Sequence, residues 1–131
     1  MPGQRLLIID DEVAFAKFVA RVASAEGFDV KVTTRSEDFM AAVLSAPPDV
    51  IILDMVMPGM DGVELIQWLA KQQSTARVIL ASGFNPLYAE MAEQLGASLG
   101  KLSISILTKP VRVADLRAAL LGGAQTSQSD L

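Results

Sequence analysis

The chain has 131 residues, 51% of them hydrophobic and 20% charged, which is typical of one globular domain with a full core. Its net charge of -4 excludes a basic surface for nucleic acid, and the absence of cysteine and histidine excludes disulfides, thiolate metal sites and imidazole chemistry of its own. No apolar stretch reaches the ~20 residues of a membrane span and no signal peptide opens the chain, so we expect a cytoplasmic protein without a membrane partner.

Five short apolar runs have the length of β-strands. The first has no polar alternation, which predicts a strand with both faces buried. The second alternates apolar and polar side chains, which is typical of a half-exposed strand near a sheet edge. The predicted strands are 5–9, 28–33, 50–53, 77–81 and 103–107.

The stretches between these strands have the periodicity of helices. The first predicted helix begins at Val13 and is ended by Gly27. Thr34 and Glu37 resemble a capping box at the start of the second helix. The third is predicted over 63–73 and capped by Asp61.

The last third of the chain contains two predicted helices and a tail. An apolar residue recurs every four positions after Asn85-Pro86, which predicts one elongated fourth helix that ends near Gly100. A fifth helix follows over 113–121, and 122–131 has the small, polar composition of a flexible tail or linker. Five strands that alternate with five helices predict a doubly wound parallel α/β sheet with helices on both faces.

Polar residues stand where four of the strands end. Asp10 and Asp11 follow the first strand, Asp54 the third, Ser82 the fourth and Lys109 the fifth. Ligands of such sheets bind beyond the carboxyl ends of the strands. Three neighbouring carboxylates repel one another, and a lysine and a divalent cation would relieve the repulsion. An all-oxygen cluster suits Mg²⁺, whose open coordination positions favour a phosphoryl group.

These motifs resemble those of a known family, the receiver domain of two-component response regulators. The resemblance covers residues 4–121 and implies a chemotaxis-regulator-like fold with the flavodoxin-like strand order 2-1-3-4-5. It also implies a phospho-acceptor signalling domain rather than an enzyme. The motifs that carry it are Ile8-Ile9-Asp10-Asp11-Glu12, the stretch 53–62, Ala81-Ser82-Gly83 and Thr108-Lys109-Pro110.

The resemblance implies a role for each residue at the strand ends. Asp54 would accept a phosphoryl group from the phosphohistidine of a sensor histidine kinase or histidine phosphotransfer protein. Ser82 would hydrogen-bond one phosphoryl oxygen, and Lys109 would neutralise another. The implied Mg²⁺ ligands are Asp11, Asp54, the backbone carbonyl of Val56 and, through water, Asp10.

Each of these residues also has an ordinary structural interpretation. Asp11 precedes a helix and is of a type that caps helices. Asp54 would serve as a turn acid before Pro58, Ser82 as a turn residue and Lys109 as a surface lysine. Placing the acids and the lysine at one edge of one sheet favours the functional interpretation of all four.

The sequence departs from the family's pattern at three places. The strand-five aromatic that receivers couple to the serine or threonine of strand four is replaced by Ile106. The segment between Ser82 and Lys109 is longer than usual, so the elongated fourth helix would reshape the output surface. The residues two after the acceptor and two after the serine, Val56 and Phe84, are unable to orient an attacking water, which predicts slow loss of the phosphoryl group.

Two other functions compete with a phosphorylated receiver. The missing strand-five aromatic would suit a pseudo-receiver that is never phosphorylated and acts as a protein-interaction module. A phosphatase of the haloacid type would need an aspartate at position 56, where the chain has Val56. For output, we expect either a downstream effector domain or a homodimer formed through helix four, strand five and helix five.

Overall fold

A computed structural model describes residues 3–55, 61–83, 90, 94 and 102–122. Its five strands form one parallel sheet in the order β2-β1-β3-β4-β5, which confirms the predicted fold. Each strand that was predicted is present, and their ends differ from the prediction by one residue at most. The strands are β1 Arg5–Ile9, β2 Asp29–Thr33, β3 Val50–Asp54, β4 Arg77–Ser82 and β5 Ser103–Thr108.

Four helices lie within the described residues, and none of them is long and apolar enough to cross a membrane. The predicted elongated helix between β4 and β5 lies outside those residues, apart from Glu90 and Gln94. The predicted tail also lies outside them, except for Gly122. The described helices are α1 Val13–Ala25, α2 Ser36–Ser45, α3 Gly62–Lys71 and α4 Val113–Leu121.

The strand order explains which strands are buried. All five residues of β3 are buried, because β3 lies in the centre of the sheet with helices on both faces. The edge strand β2 is only partly covered, and its Val32 is 42% exposed. The alternating pattern of this second strand therefore predicted its edge position correctly.

The core consists of two layers, one on each face of the sheet. Ile51 and Leu53 point to one face, where they pack against side chains of α2 and α3 such as Phe39 and Leu65. Val50 and Ile52 point to the other face, where α1 and α4 cover them. Because side chains alternate along a strand, a single apolar run supplies both layers.

Of the caps predicted for the starts of α2 and α3, one is correct and one is wrong. Asp61 caps α3 in a full capping box, since its carboxylate accepts the backbone N–H of Glu64 at 3.0 Å and the Glu64 carboxylate accepts that of Asp61 at 3.0 Å. The capping box predicted for α2 is wrong. The helix begins at Ser36 with Arg35 as its N-cap, so Thr34 lies one residue too early to cap it, and Glu37 pairs with Arg35 at 3.6 Å.

Arg77 connects the start of β4 to the end of α4. Its guanidinium donates to the carbonyl oxygens of Ala119 at 3.0 Å and Leu120 at 2.6 Å, which are among the last carbonyls of the helix. Gly122 ends the helix with a positive φ of 78°. These hydrogen bonds attach the C-terminal end of α4 to the amino end of β4. The acids lie at the carboxyl ends of the strands, on the opposite side of the domain.

Candidate functional site

The carboxyl ends of the strands bring the predicted polar residues to one edge of the sheet. Asp10 follows β1 and is held there by its backbone N–H, which donates to the Thr33 carbonyl at 3.2 Å. Asp54 is the last residue of β3 and Ser82 the last of β4, where it pairs in register with Thr108. Asp10 is fully buried, whereas Asp54 and Ser82 are 9% and 7% exposed.

Three carboxylates converge at this edge. Asp10, Asp11 and Asp54 each offer an oxygen, and these oxygens all lie within 4.8 Å of one another. Asp10 is oriented by the N-cap residue of α1, because its Oδ1 accepts the backbone N–H of Glu12 at 2.8 Å. At an effective dielectric constant of about 20, two charges at this separation repel by on the order of 3 kcal/mol. Cations close to these carboxylates would offset the repulsion.

Lys109 supplies one of those cations. Its Nζ lies 3.3 Å from Asp10 Oδ2, 3.5 Å from Glu12 Oε1 and 3.8 Å from Asp54 Oδ1. Burial by itself would lower the pKa of Lys109, but the charges of Asp54, Asp10 and Glu12 outweigh it and raise that pKa above its ordinary value. The lysine is therefore protonated at neutral pH, and its ammonium faces the Asp54 carboxylate.

The donor set also fits a divalent cation. Three carboxylates lie within 3.8 Å of the Lys109 ammonium, and Asp11 adds a fourth acid to the cluster, so the described part of the site carries excess negative charge. Asp11 is exposed, which leaves the cluster open toward solvent, while Asp10 closes it from below. Carboxylate oxygens with room for water are the ligands that Mg²⁺ prefers.

Some predicted residues lie outside the described part of the chain. They are Val56, whose carbonyl is an implied metal ligand, and Phe84, an implied influence on phosphoryl lifetime. Ile106 is described. It is half-buried in β5 and pairs in register with Leu80, so an aliphatic side chain occupies the position of the family's aromatic.

Sequence reasoning missed two residues that contact Lys109. Glu12, at the N-cap of α1, is the second-nearest acid to the Lys109 ammonium, at 3.5 Å. The ring of Phe15 lies under the ammonium, 4.4 Å from Nζ to the ring centroid. The sequence contained one signal for each residue: Glu12 adjoins Asp11, and Phe15 follows Asp11 by about one helical turn, so both are expected near the acids. Neither signal indicates a contact with a lysine at the other end of the chain.

The strand order and the acid–lysine cluster define the class of this protein as a doubly wound α/β domain of receiver type. The sequence model of the family described as the response regulator receiver domain matches residues 6–121. The chain belongs to that family, the signalling modules of two-component systems.

Several proteins with similar sequences carry further regions. A Myxococcus xanthus protein named protein-glutamate methylesterase/protein-glutamine glutaminase 5 is 36% identical over 122 residues, which cover 91% of this chain and 34% of that protein. The acid tolerance regulatory protein ActR of Rhizobium meliloti is 30% identical, with 92% of this chain and 59% of that protein covered. The chain thus spans only about a third to three fifths of these curated relatives.

Solved structures agree with this fold. NtrX from Brucella abortus superposes with a TM-score of 0.82 at 25% identity, over 97% of this chain and 28% of that one. The receiver domain of the Francisella response regulator 1452 superposes with a TM-score of 0.80 at 24% identity, over 95% of this chain and 99% of that one. The second likeness shows the fold alone.

Proposed function

We propose that this receiver domain accepts a phosphoryl group on Asp54 in a Mg²⁺-dependent reaction. The observation that carries the proposal is the convergence of Asp10, Asp11 and Asp54 with the Lys109 ammonium at the carboxyl edge of the sheet. An aspartate at the end of a fully buried strand, next to a lysine and two other acids, suits a carboxylate nucleophile.

Each residue of the site has a separate role in the proposed phosphoryl transfer. An oxygen of Asp54 attacks phosphorus, the bond from phosphorus to the donor's histidine nitrogen breaks, and that nitrogen keeps the bonding electron pair and takes a proton from water. Lys109 lies 3.8 Å from the Asp54 carboxylate and neutralises charge on a phosphoryl oxygen attached there. Ser82, buried at the end of the neighbouring strand, donates a hydrogen bond to another.

The implied metal ligands are Asp11 and Asp54 directly and Asp10 through water, together with the carbonyl of Val56. When bound, Mg²⁺ neutralises the carboxylates and the charge that spreads over the phosphoryl oxygens. The fit rests on the oxygen donors, on the excess negative charge and on the exposure of Asp11.

The partners follow from the chemistry. The chain has no histidine, so a sensor histidine kinase or phosphotransfer protein supplies the imidazole that carries the phosphoryl group. We assign residues 4–121 to the receiver and 122–131 to a linker or tail. Output passes to a downstream effector domain or to a homodimer. The homodimer would form through the predicted fourth helix, β5 and α4, which is the fifth helix of the sequence prediction. The domain itself is a phospho-acceptor that assists its own phosphorylation and dephosphorylation.

Beryllofluoride mimics the aspartyl phosphate and tests this proposal directly. We expect one beryllofluoride to bind each chain in the presence of Mg²⁺, seen by fluorine NMR as bound signals that Asp54→Asn removes. Asp38, an exposed acid of α2, provides the matched control, and Asp38→Asn should bind as the wild type does. Absence of a bound signal in the wild type would overturn the proposal.

We further propose that Val56 and Phe84 give the phosphoryl group a long lifetime. Neither side chain orients a water for attack on phosphorus. The double variant Val56→Asn with Phe84→Glu supplies groups that do, so we expect the phosphoryl group to be lost faster, by on the order of a hundredfold if one positioned group acts in general acid–base catalysis at the low end of its range. A chase of radiolabelled protein measures the decay. Decay at the wild-type rate would contradict this assignment.

A further inference from the structure

The ring of Phe15 forms one side of the Lys109 environment. The lysine Nζ lies 4.4 Å from the ring centroid, within the range of a cation–π interaction, and the lysine side chain is only 20% exposed. In the described part of the chain, the only ring found over this ammonium is that of Phe15. Lys109 thus has an aromatic face as well as acids around it.

The position of this ring is fixed by its own packing. Phe15 lies in the first turn of α1 and packs against the core layer between α1 and the sheet. It also contacts Phe18, whose ring centroid is 6.1 Å away at an interplanar angle of 46°. A ring anchored in the core layer presents its face to a long, flexible side chain.

The lysine needs such a surface, because four rotatable bonds separate its ammonium from the backbone. The stem passes Gly83, where an added Cβ would lie 3.7 Å from Lys109 Cβ. The ammonium then reaches Asp10, Glu12 and Asp54 at distances between 3.3 and 3.8 Å. Glu12 is 63% exposed in its side chain and competes for the ammonium from the solvent side. A ring under the ammonium favours rotamers that keep it in the site.

We propose that Phe15 is a positioning residue that holds the Lys109 ammonium toward Asp10 and Asp54 by a cation–π contact. This inference deepens the proposed phosphoryl transfer and rests on it for its consequence, since a preordered lysine meets the phosphoryl oxygens without reorganising. It supplies an aromatic contact to the site from α1, although β5 carries aliphatic Ile106 where the family has an aromatic. The partner of the contact is the lysine charge and not the apolar stem.

Relaxation of the Lys109 side chain in the unphosphorylated protein tests the contact itself. We expect Phe15→Leu to lower the NMR order parameter of the Lys109 ε-carbon and Phe15→Trp to retain it. Pentafluorophenylalanine at position 15 has nearly the shape of phenylalanine with the opposite quadrupole, and should lower it as leucine does. Phe18→Leu removes the neighbouring ring and serves as the matched control, with an expected order parameter close to that of the wild type.

The rate of phosphorylation by acetyl phosphate with Mg²⁺ tests the consequence. We expect Phe15→Leu and the pentafluoro variant to react about threefold to tenfold more slowly, which corresponds to the usual strength of such contacts, and Phe15→Trp and Phe18→Leu to stay within about twofold of the wild type. The pentafluoro variant keeps the packing, so a slower rate there is not a folding defect.

The outcomes separate the two proposals. An unchanged Lys109 order parameter in both Phe15→Leu and the pentafluoro variant would overturn the role of Phe15, as would an equal loss in Phe18→Leu. Wild-type protein that takes up no phosphoryl group would overturn the proposed function, while the order parameters would still decide the contact.

Discussion

Replacement of Asp54 by asparagine is expected to abolish phosphorylation, from acetyl phosphate and from a histidine phosphodonor alike. The amide has nearly the shape of the carboxylate but lacks the anionic oxygen that attacks phosphorus. No second acid takes over. Asp10 is fully buried and faces Lys109, and Asp11 is exposed at the rim of the cluster rather than at the end of β3. We therefore expect incorporation of label to fall to the background of the assay.

The measurement is label incorporation, followed by mass spectrometry of the phosphorylated peptide. Asp38→Asn provides the control, because it makes the same change of charge on an exposed residue of α2 that does not belong to the acid–lysine cluster. Circular dichroism of both variants verifies their folding. Phosphorylation of Asp54→Asn at the wild-type rate would contradict the assignment of the acceptor. A wild-type chain that takes up no label under any donor would instead identify a pseudo-receiver.

Removal of divalent cations is the second change with a large expected effect. The oxygens of Asp10, Asp11 and Asp54 lie within 4.8 Å of one another, and further negative charge arrives with the phosphoryl group. Lys109 provides a single positive charge against them. In excess EDTA we expect phosphorylation by acetyl phosphate to stop, and readdition of Mg²⁺ to restore it. Uptake at an unchanged rate in EDTA would contradict the proposed metal dependence.

A second readout follows from the same cluster and does not require phosphorylation. A cation that binds only the folded arrangement stabilises it by about 2.7 kcal/mol when present at a hundred times its dissociation constant. We expect Mg²⁺ to raise the melting temperature of the wild type by several degrees. Asp11→Asn removes an implied direct ligand and should lose most of this shift, whereas Asp38→Asn should retain it. Equal increases in the melting temperature of all three proteins would show that the cation binds at another site.

Much of the fold was predictable because its signals are local. Apolar runs of strand length gave all five strands, and the alternation of the second run indicated its edge position, since periodicity records which faces are covered. Asp61 and Gly27 were assigned correctly, because a capping carboxylate and a positive φ depend on a few neighbouring residues. The capping box expected at Thr34 failed, because the start of α2 is set one residue later than its local pattern suggests.

The candidate site was predictable in outline for a related reason. Once the sheet is parallel, every strand ends at the same edge, so the residues that follow β1, β3, β4 and β5 must gather there. The sequence by itself therefore determined that Asp10, Asp11, Asp54, Ser82 and Lys109 stand at one edge of the sheet, and the strand order β2-β1-β3-β4-β5 makes their strands neighbours.

Only the tertiary structure decided what each of them contacts. Lys109 reaches Asp10 across 99 residues of sequence, and it shares its charge with Glu12 and with the ring of Phe15. Arg77 caps α4 across 43 residues. Such pairs leave no periodicity or spacing in the chain, because they form when two elements pack and not when either one folds. The order of residues along the chain determines which side chains lie at the carboxyl ends of the strands. The packing of α1 against the sheet determines which side chains contact Lys109.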